Sequence, residues 1–66
     1  MTLGTARQYA RRFRSLRCYA DVRVLAGSDR TKAVVFAVAL CDTAYGAPRY
    51  VSTVEQAEEE LERKRP

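Results

Sequence analysis

The chain has 66 residues, of which 47% are hydrophobic and 30% charged, and its formal net charge is +4. This composition predicts one small folded domain spanning residues 1–66 and excludes a disordered chain. The longest apolar run, residues 33–41, is shorter than the roughly 20 residues that cross a bilayer, and the basic N-terminus lacks a signal peptide's apolar stretch. We therefore expect a cytoplasmic protein that does not contact a membrane.

The sequence lacks the residue patterns of catalysis. Histidine is absent, and with it the commonest general base and metal ligand. Two cysteines without histidine make a poor metal site, and neither a glycine-rich phosphate loop nor a convergent pair of carboxylates is indicated. We expect a protein that is not an enzyme and that uses no cofactor and no metal.

The first predicted element is an amphipathic helix beginning at Thr5. Apolar residues recur every three or four positions, and Thr5 with Gln8 has the spacing of a capping box. No acidic residue precedes Asp21. The polar side of the helix and its C-terminal end carry five arginines: Arg7, Arg11, Arg12, Arg14 and Arg17.

A hairpin of two strands follows the helix. Apolar and polar residues alternate over residues 18–25, which predicts a half-buried strand, and residues 27–29 supply a turn. The second strand, residues 31–40, has large side chains at even positions and mostly small ones at odd positions. Placing the bulky side chains on one face requires opposed residues of equal parity, and therefore a loop with an odd number of residues. In that register Cys18 and Cys41 point to opposite faces, so we expect two free thiols.

The remainder of the chain contains a loop, a short strand and a second helix. Gly46 and Pro48 interrupt residues 41–50, and a short strand is expected at residues 49–51. Ser52 and Glu55 have capping-box spacing, and the segment after them starts acidic and ends basic, which suits the helix dipole. The sequence predicts an α+β fold in which an antiparallel β-meander packs with two helices, in the order helix, strand, strand, short strand, helix.

Three resemblances bear on function. The order of the elements resembles that of double-stranded RNA-binding domains, but the second helix opens with STVEQAEEE where that family has lysines for the phosphates. The segment RYVSTVEQAEEELERK resembles the last strand and helix of the arm-type DNA-binding domains of phage integrases. In size and simplicity, the chain resembles the regulators and inhibitors of phages and plasmids, including anti-CRISPR proteins.

Two surfaces are candidate binding sites. The first is basic, because guanidinium groups pair bidentately with phosphate or carboxylate; it comprises Arg7, Arg11, Arg12, Arg14, Arg17, Arg30, Lys32 and Arg49. The second is the small-residue face of the sheet with a loop tyrosine, a possible interface comprising Tyr19, Leu25, Val35, Ala37, Ala39 and Tyr45. Alternatively, the arginines pair with the glutamates of the last helix, and one helix covers the small-residue face. Tyr9 and Phe13 are expected in the core.

We expect a small non-enzymatic regulator or inhibitor that binds an acidic partner surface through its basic helix. One alternative is a nucleic-acid-binding protein that uses the same arginines on phosphates. The other is a structural homodimer that associates through the small-residue face.

Overall fold

The computed structural model describes residues 1–28, 31–41 and 46–65, and at positions 28 and 31–33 it describes the main chain only. The elements, in chain order, are α1 (Leu3–Ser15), β1 (Tyr19–Ser28), β2 (Thr31–Cys41), β3 (Arg49–Val51) and α2 (Val54–Lys64). The strands form one antiparallel sheet in the order β1-β2-β3. The predicted α+β fold is therefore confirmed.

Both helices pack on one face of the sheet. The core between the layers is formed by one side of each helix and by inward-facing strand residues, namely Ala6, Tyr9, Ala10, Phe13, Ala20, Val38, Leu40, Val51, Ala57 and Leu61. Phe13 is fully buried and Tyr9 nearly so, which confirms that both aromatic residues belong to the core. We call the other face of the sheet, which neither helix covers, the outer face. Neither helix has the length and apolar character needed to cross a membrane.

The register of β1 against β2 follows the predicted parity near the helices and departs from it toward the hairpin end. Residues of equal parity are opposed in three pairs: Ala20–Leu40, Val22–Val38 and Val24–Phe36. The register then shifts twice, and Ser28 pairs with Thr31. The predicted odd loop is therefore wrong, because bulges change the parity before the turn. Gly27 and Ser28 belong to β1, not to the turn, and Asp29 lies outside the described residues.

Both helices are capped by threonines that the sequence prediction misplaced. The hydroxyl of Thr2 accepts from the Thr5 N–H at 3.2 Å, and the hydroxyl of Thr53 accepts from the Gln56 N–H at 3.1 Å. Thr2 and Thr53 have the extended backbone that an N-cap requires. The predicted caps at Thr5 and Ser52 are wrong, since Thr5 lies inside α1 and Ser52 precedes the cap of α2.

The C-terminus of α1 is a Schellman motif whose left-handed position holds an arginine. The Cys18 N–H donates to the carbonyl of Phe13 at 3.1 Å, and the Arg17 N–H donates to the carbonyl of Arg14 at 3.0 Å. Arg17 has φ 63°, a conformation in which a side chain costs roughly 1–2 kcal/mol and which glycine usually fills. The junction between α1 and β1 is thus strained by a cationic residue.

Neither Cys18 nor Cys41 forms a disulfide, as predicted. Cys18 packs against the core, whereas Cys41 is opposite Tyr19 in the sheet. The Cys41 thiol donates to the carbonyl of Gly46 at 3.2 Å. Each thiol is half-buried in its own surroundings.

Candidate binding surface beside the first helix

The two flanks of α1 carry arginines with different surroundings. At about 100° per residue, Arg7, Arg11 and Arg14 lie within about 60° of one another, and Arg12 lies about 100° or more away from them. The Arg12 guanidinium contacts Glu58 of α2, whereas the Arg14 guanidinium contacts Ala20 of β1. One flank therefore faces α2, and the other reaches β1 at its C-terminal end, through Arg14.

Arg12 takes part in a cluster that joins the two helices. Glu58 Oε1 accepts from the Tyr9 hydroxyl at 2.7 Å and from Arg12 Nη1 at 2.9 Å, and the Arg12 guanidinium lies 5.2 Å from the centre of the Tyr9 ring. The hydrogen bond from Tyr9, aided by Arg12, lowers the pKa of Glu58. The hydrogen bond to Glu58 raises the pKa of Tyr9. The pairing with the last helix that the sequence left open is thus made by Arg12.

The other flank of α1 holds the exposed arginines. Together with the following residue at the helix end, it consists of Arg7, Arg11, Arg14 and Arg17, which we call the basic flank. Within residues 1–28, 31–41 and 46–65, no carboxylate lies within ion-pair distance of these four guanidinium groups. Arg14 Nε donates to the carbonyl of Ala20 at 2.9 Å, which leaves its charge uncompensated.

The remaining predicted basic residues do not extend this surface. Arg49 lies on β3, at the opposite edge of the sheet from β1, where it pairs with Glu60 at 3.3 Å. Arg30 and the side chain of Lys32 lie outside the described residues. The structure brings together only the arginines at the end and along one flank of α1.

The outer face is apolar at its margins, but its small residues are covered. Ala37 and Ala39 are 0% and 3% exposed, because longer side chains flank them: Arg23 is opposite Ala37 and Tyr50 is opposite Ala39. The expectation that these two alanines are accessible is wrong.

Other members of the predicted interface are accessible. Tyr19, Leu25 and Val35 are 59%, 45% and 37% exposed, respectively. Tyr45 lies outside the described residues. Three members of the possible interface are thus exposed, and whether they bind anything stays a prediction.

The free edge of β1 lies next to the basic flank, a feature that the sequence analysis missed. The strand order leaves β1 unpaired on one side. Two of its main-chain groups on that side are covered by side chains: the Ala20 carbonyl accepts from Arg14, and the Val22 N–H donates to Asp21 Oδ1 at 2.9 Å. In the described part of the chain, no side chain hydrogen-bonds the main chain of residues 23–27. The edge is open toward the hairpin end.

Comparison with other proteins identifies no relative, since no family model matches the chain and no curated protein or solved structure is significantly similar to it. Among the described residues, no group of three or more potential ligand side chains could hold a metal ion. A function for this chain can therefore be inferred only from its own geometry.

Proposed function

We propose that this chain is a non-enzymatic interaction protein, a small regulator or inhibitor, which binds an acidic protein surface through the basic flank. The observation that carries the proposal is that the four guanidinium groups of this flank are exposed and have no carboxylate partner among the described residues. Two cysteines that do not form a disulfide suit a reducing compartment, and we place the protein in the cytoplasm.

The strain at Arg17 supports a role for its side chain. The left-handed position of a Schellman motif favours glycine, yet it carries an exposed arginine. Strained residues concentrate at functional sites, where the side chain is needed in spite of its conformational cost. A guanidinium placed one turn after Arg14 extends the basic flank toward β1.

Two observations favour a protein over a nucleic acid as the partner. Tyr9 and Phe13, the aromatic residues of α1, are buried in the core and do not offer a stacking surface for bases. The main chain at the free edge of β1, next to Arg14, can also pair with the main chain of another polypeptide. A polypeptide can instead use both the guanidinium groups and the main chain of that edge.

Affinity capture from a cell extract, with and without nuclease, tests the proposal. We expect an acidic protein to be retained after nuclease treatment, and the double variant Arg7→Gln/Arg11→Gln to lose it. The matched control is Arg63→Gln/Arg65→Gln, which removes the same charge from the C-terminal end of α2, where both arginines pair with glutamates of that helix.

Three results would contradict the proposal. Loss of the captured partner on nuclease treatment would assign the arginines to nucleic acid. The logarithm of the binding constant would then fall linearly with the logarithm of the salt concentration, with a slope of about −0.9 per phosphate neutralised. Equal losses in the two double variants would show that only net charge matters. Capture that neither double variant reduces would show that the basic flank is not the binding surface.

Charge pairs alone are too weak for a stable complex. Exposed ion pairs contribute about 0.2–1 kcal/mol each, so four of them supply roughly 1–4 kcal/mol. A micromolar complex needs about 8 kcal/mol. A partner of the basic flank must therefore make further contacts nearby.

A further inference from the structure

We propose that the partner presents an extended acidic segment that adds to the free edge of β1 as a fourth strand, an inference that rests on the proposed function. The sheet edge would supply main-chain hydrogen bonds, and the basic flank would supply charge. In this mode of recognition, main-chain hydrogen bonds provide affinity, and every second side chain of the added strand provides specificity.

The main-chain geometry of β1 suits an added strand. Main-chain polar groups of successive residues alternate between the two edges of an antiparallel strand. Because the Ala20 carbonyl and the Val22 N–H bond to side chains, the even-numbered residues as far as Val24, where the first bulge begins, direct their polar groups away from β2. Both covering side chains, Arg14 and Asp21, are accessible enough to be displaced by an incoming main chain. Val24 is the next residue in this series and is 60% exposed.

The charge beside the edge specifies an acidic segment. Arg7, Arg11 and Arg14 lie about 6 and 4.5 Å apart along the helix axis. Alternate residues of a strand, whose side chains share one face, are about 6.6 Å apart. The three arginines span about 10.5 Å along the helix and three alternate strand residues span about 13 Å, a difference that the long arginine side chains can bridge. Arg14 is already at the edge and would exchange the Ala20 carbonyl for a carboxylate.

A second copy of the chain fits this edge less well. Antiparallel pairing of two β1 strands about Val22 would place Asp21 opposite Arg23 of the other copy, which is favourable on the outer face. However, the same two-fold axis would bring the two basic flanks together on the helix face, with four uncompensated arginines from each copy. An acidic segment removes that repulsion, and a second copy adds to it.

The experiment measures binding of a capped eight-residue peptide that alternates glutamate with valine, labelled for fluorescence anisotropy. Two further peptides carry N-methyl groups, one on all glutamate amides and the other on all valine amides. In an added strand only one of these two sets of amides faces β1. We expect one methylated peptide to lose at least about tenfold in affinity and the other to bind like the parent, because each lost hydrogen bond costs about that factor.

Variants of the chain complete the test. Arg7→Gln/Arg11→Gln is expected to weaken binding of the parent peptide, and Arg63→Gln/Arg65→Gln is expected not to. Val24→Pro removes an edge N–H and is expected to weaken the parent peptide as well; its circular dichroism spectrum reports whether it is folded. The comparison of the two methylated peptides uses the unaltered chain and holds even if this variant does not fold.

The outcomes separate this inference from the proposed function. Equal binding of both methylated peptides, with loss in Arg7→Gln/Arg11→Gln, overturns strand addition but leaves an acidic partner for the basic flank. No binding of the parent peptide overturns strand addition. A dimer of the chain alone that the peptide does not dissociate, measured by light scattering, assigns the edge to a second copy and overturns it too.

Discussion

Arg17→Gly should stabilise this protein, although it removes an exposed charged residue, whose side chain makes no hydrogen bond or ion pair within the described chain. At φ 63° the arginine has a conformation that costs roughly 1–2 kcal/mol relative to the right-handed region. Glycine removes this cost, but it loses more conformational entropy on folding, which destabilises the protein by about 0.5–1 kcal/mol. The midpoints of the two ranges leave a net gain of about 0.75 kcal/mol, and both main-chain hydrogen bonds of the Schellman motif remain.

The assay is urea and thermal unfolding followed by circular dichroism. For a domain of this size, each 1 kcal/mol shifts the melting temperature by about 4–8 °C, so the expected rise is roughly 3–6 °C. Arg17→Ala is the matched control, because it removes the same charge but keeps a Cβ in the left-handed conformation. The reasoning is refuted if the glycine variant is no more stable than the alanine variant.

The same substitution distinguishes stability from function. If Arg17 takes part in binding, Arg17→Gly will be more stable than the parent chain and will bind the acidic partner less well. Arg17→Lys keeps the charge and the strain but not the planar fork, so it reports whether bidentate pairing is needed.

Three further predictions follow from the core, the cluster between the helices and the outer face. Phe13→Ala should cost about 3–5 kcal/mol, a large part of the stability of a 66-residue domain, and denaturant unfolding should show it largely unfolded. Because Glu58 has a lowered pKa, its contribution to the free energy of unfolding is present above pH 4.5, the ordinary pKa of a glutamate, and is lost as the pH falls through the lowered pKa. Because Tyr9 has a raised pKa, its contribution to the free energy of unfolding is present below pH 10.0 and is lost as the pH rises through the raised pKa. Tyr9→Phe should weaken both pH dependences, which urea midpoints measured across the pH range would report. If the outer face forms a homodimer, Val35→Asp should yield monomers by light scattering, and a dimer that survives this charge does not use that face.

Periodicity in the sequence was enough to predict the fold and most of the core. The alternation of large and small residues in β2 placed Val38 and Leu40 inward, and the structure confirms both. Bulges were not predictable because nothing in the pattern around Leu25 distinguishes a bulge from a regular strand. The caps were misplaced by one and three residues because several threonines and serines have acceptable spacing, and only backbone geometry selects among them.

The candidate site was only partly predictable, for a geometric reason. Arg11 and Arg12 are adjacent in sequence but point about 100° apart around the helix. Which of them faces α2 depends on where the chain places the second helix after crossing the sheet. The sequence therefore identified the basic helix, and the structure was needed to divide its arginines between Glu58 and solvent.

The strands β1 and β2 extend beyond the part of the sheet that the helices cover, so local stability differs along the sheet. Val24 and Val34 remain 60% and 47% exposed beyond the core, in a molecule 42 Å long and 15 Å thick. Opening the end of the sheet at Val24 and Val34 exposes little additional apolar surface, so the amides there should exchange with deuterium through local opening. The amides of Val38 and Leu40 should exchange only through global unfolding. The edge of β1 that we assign to a partner thus extends from the most stable part of the sheet to the part that opens most easily, and a bound strand would stabilise that part.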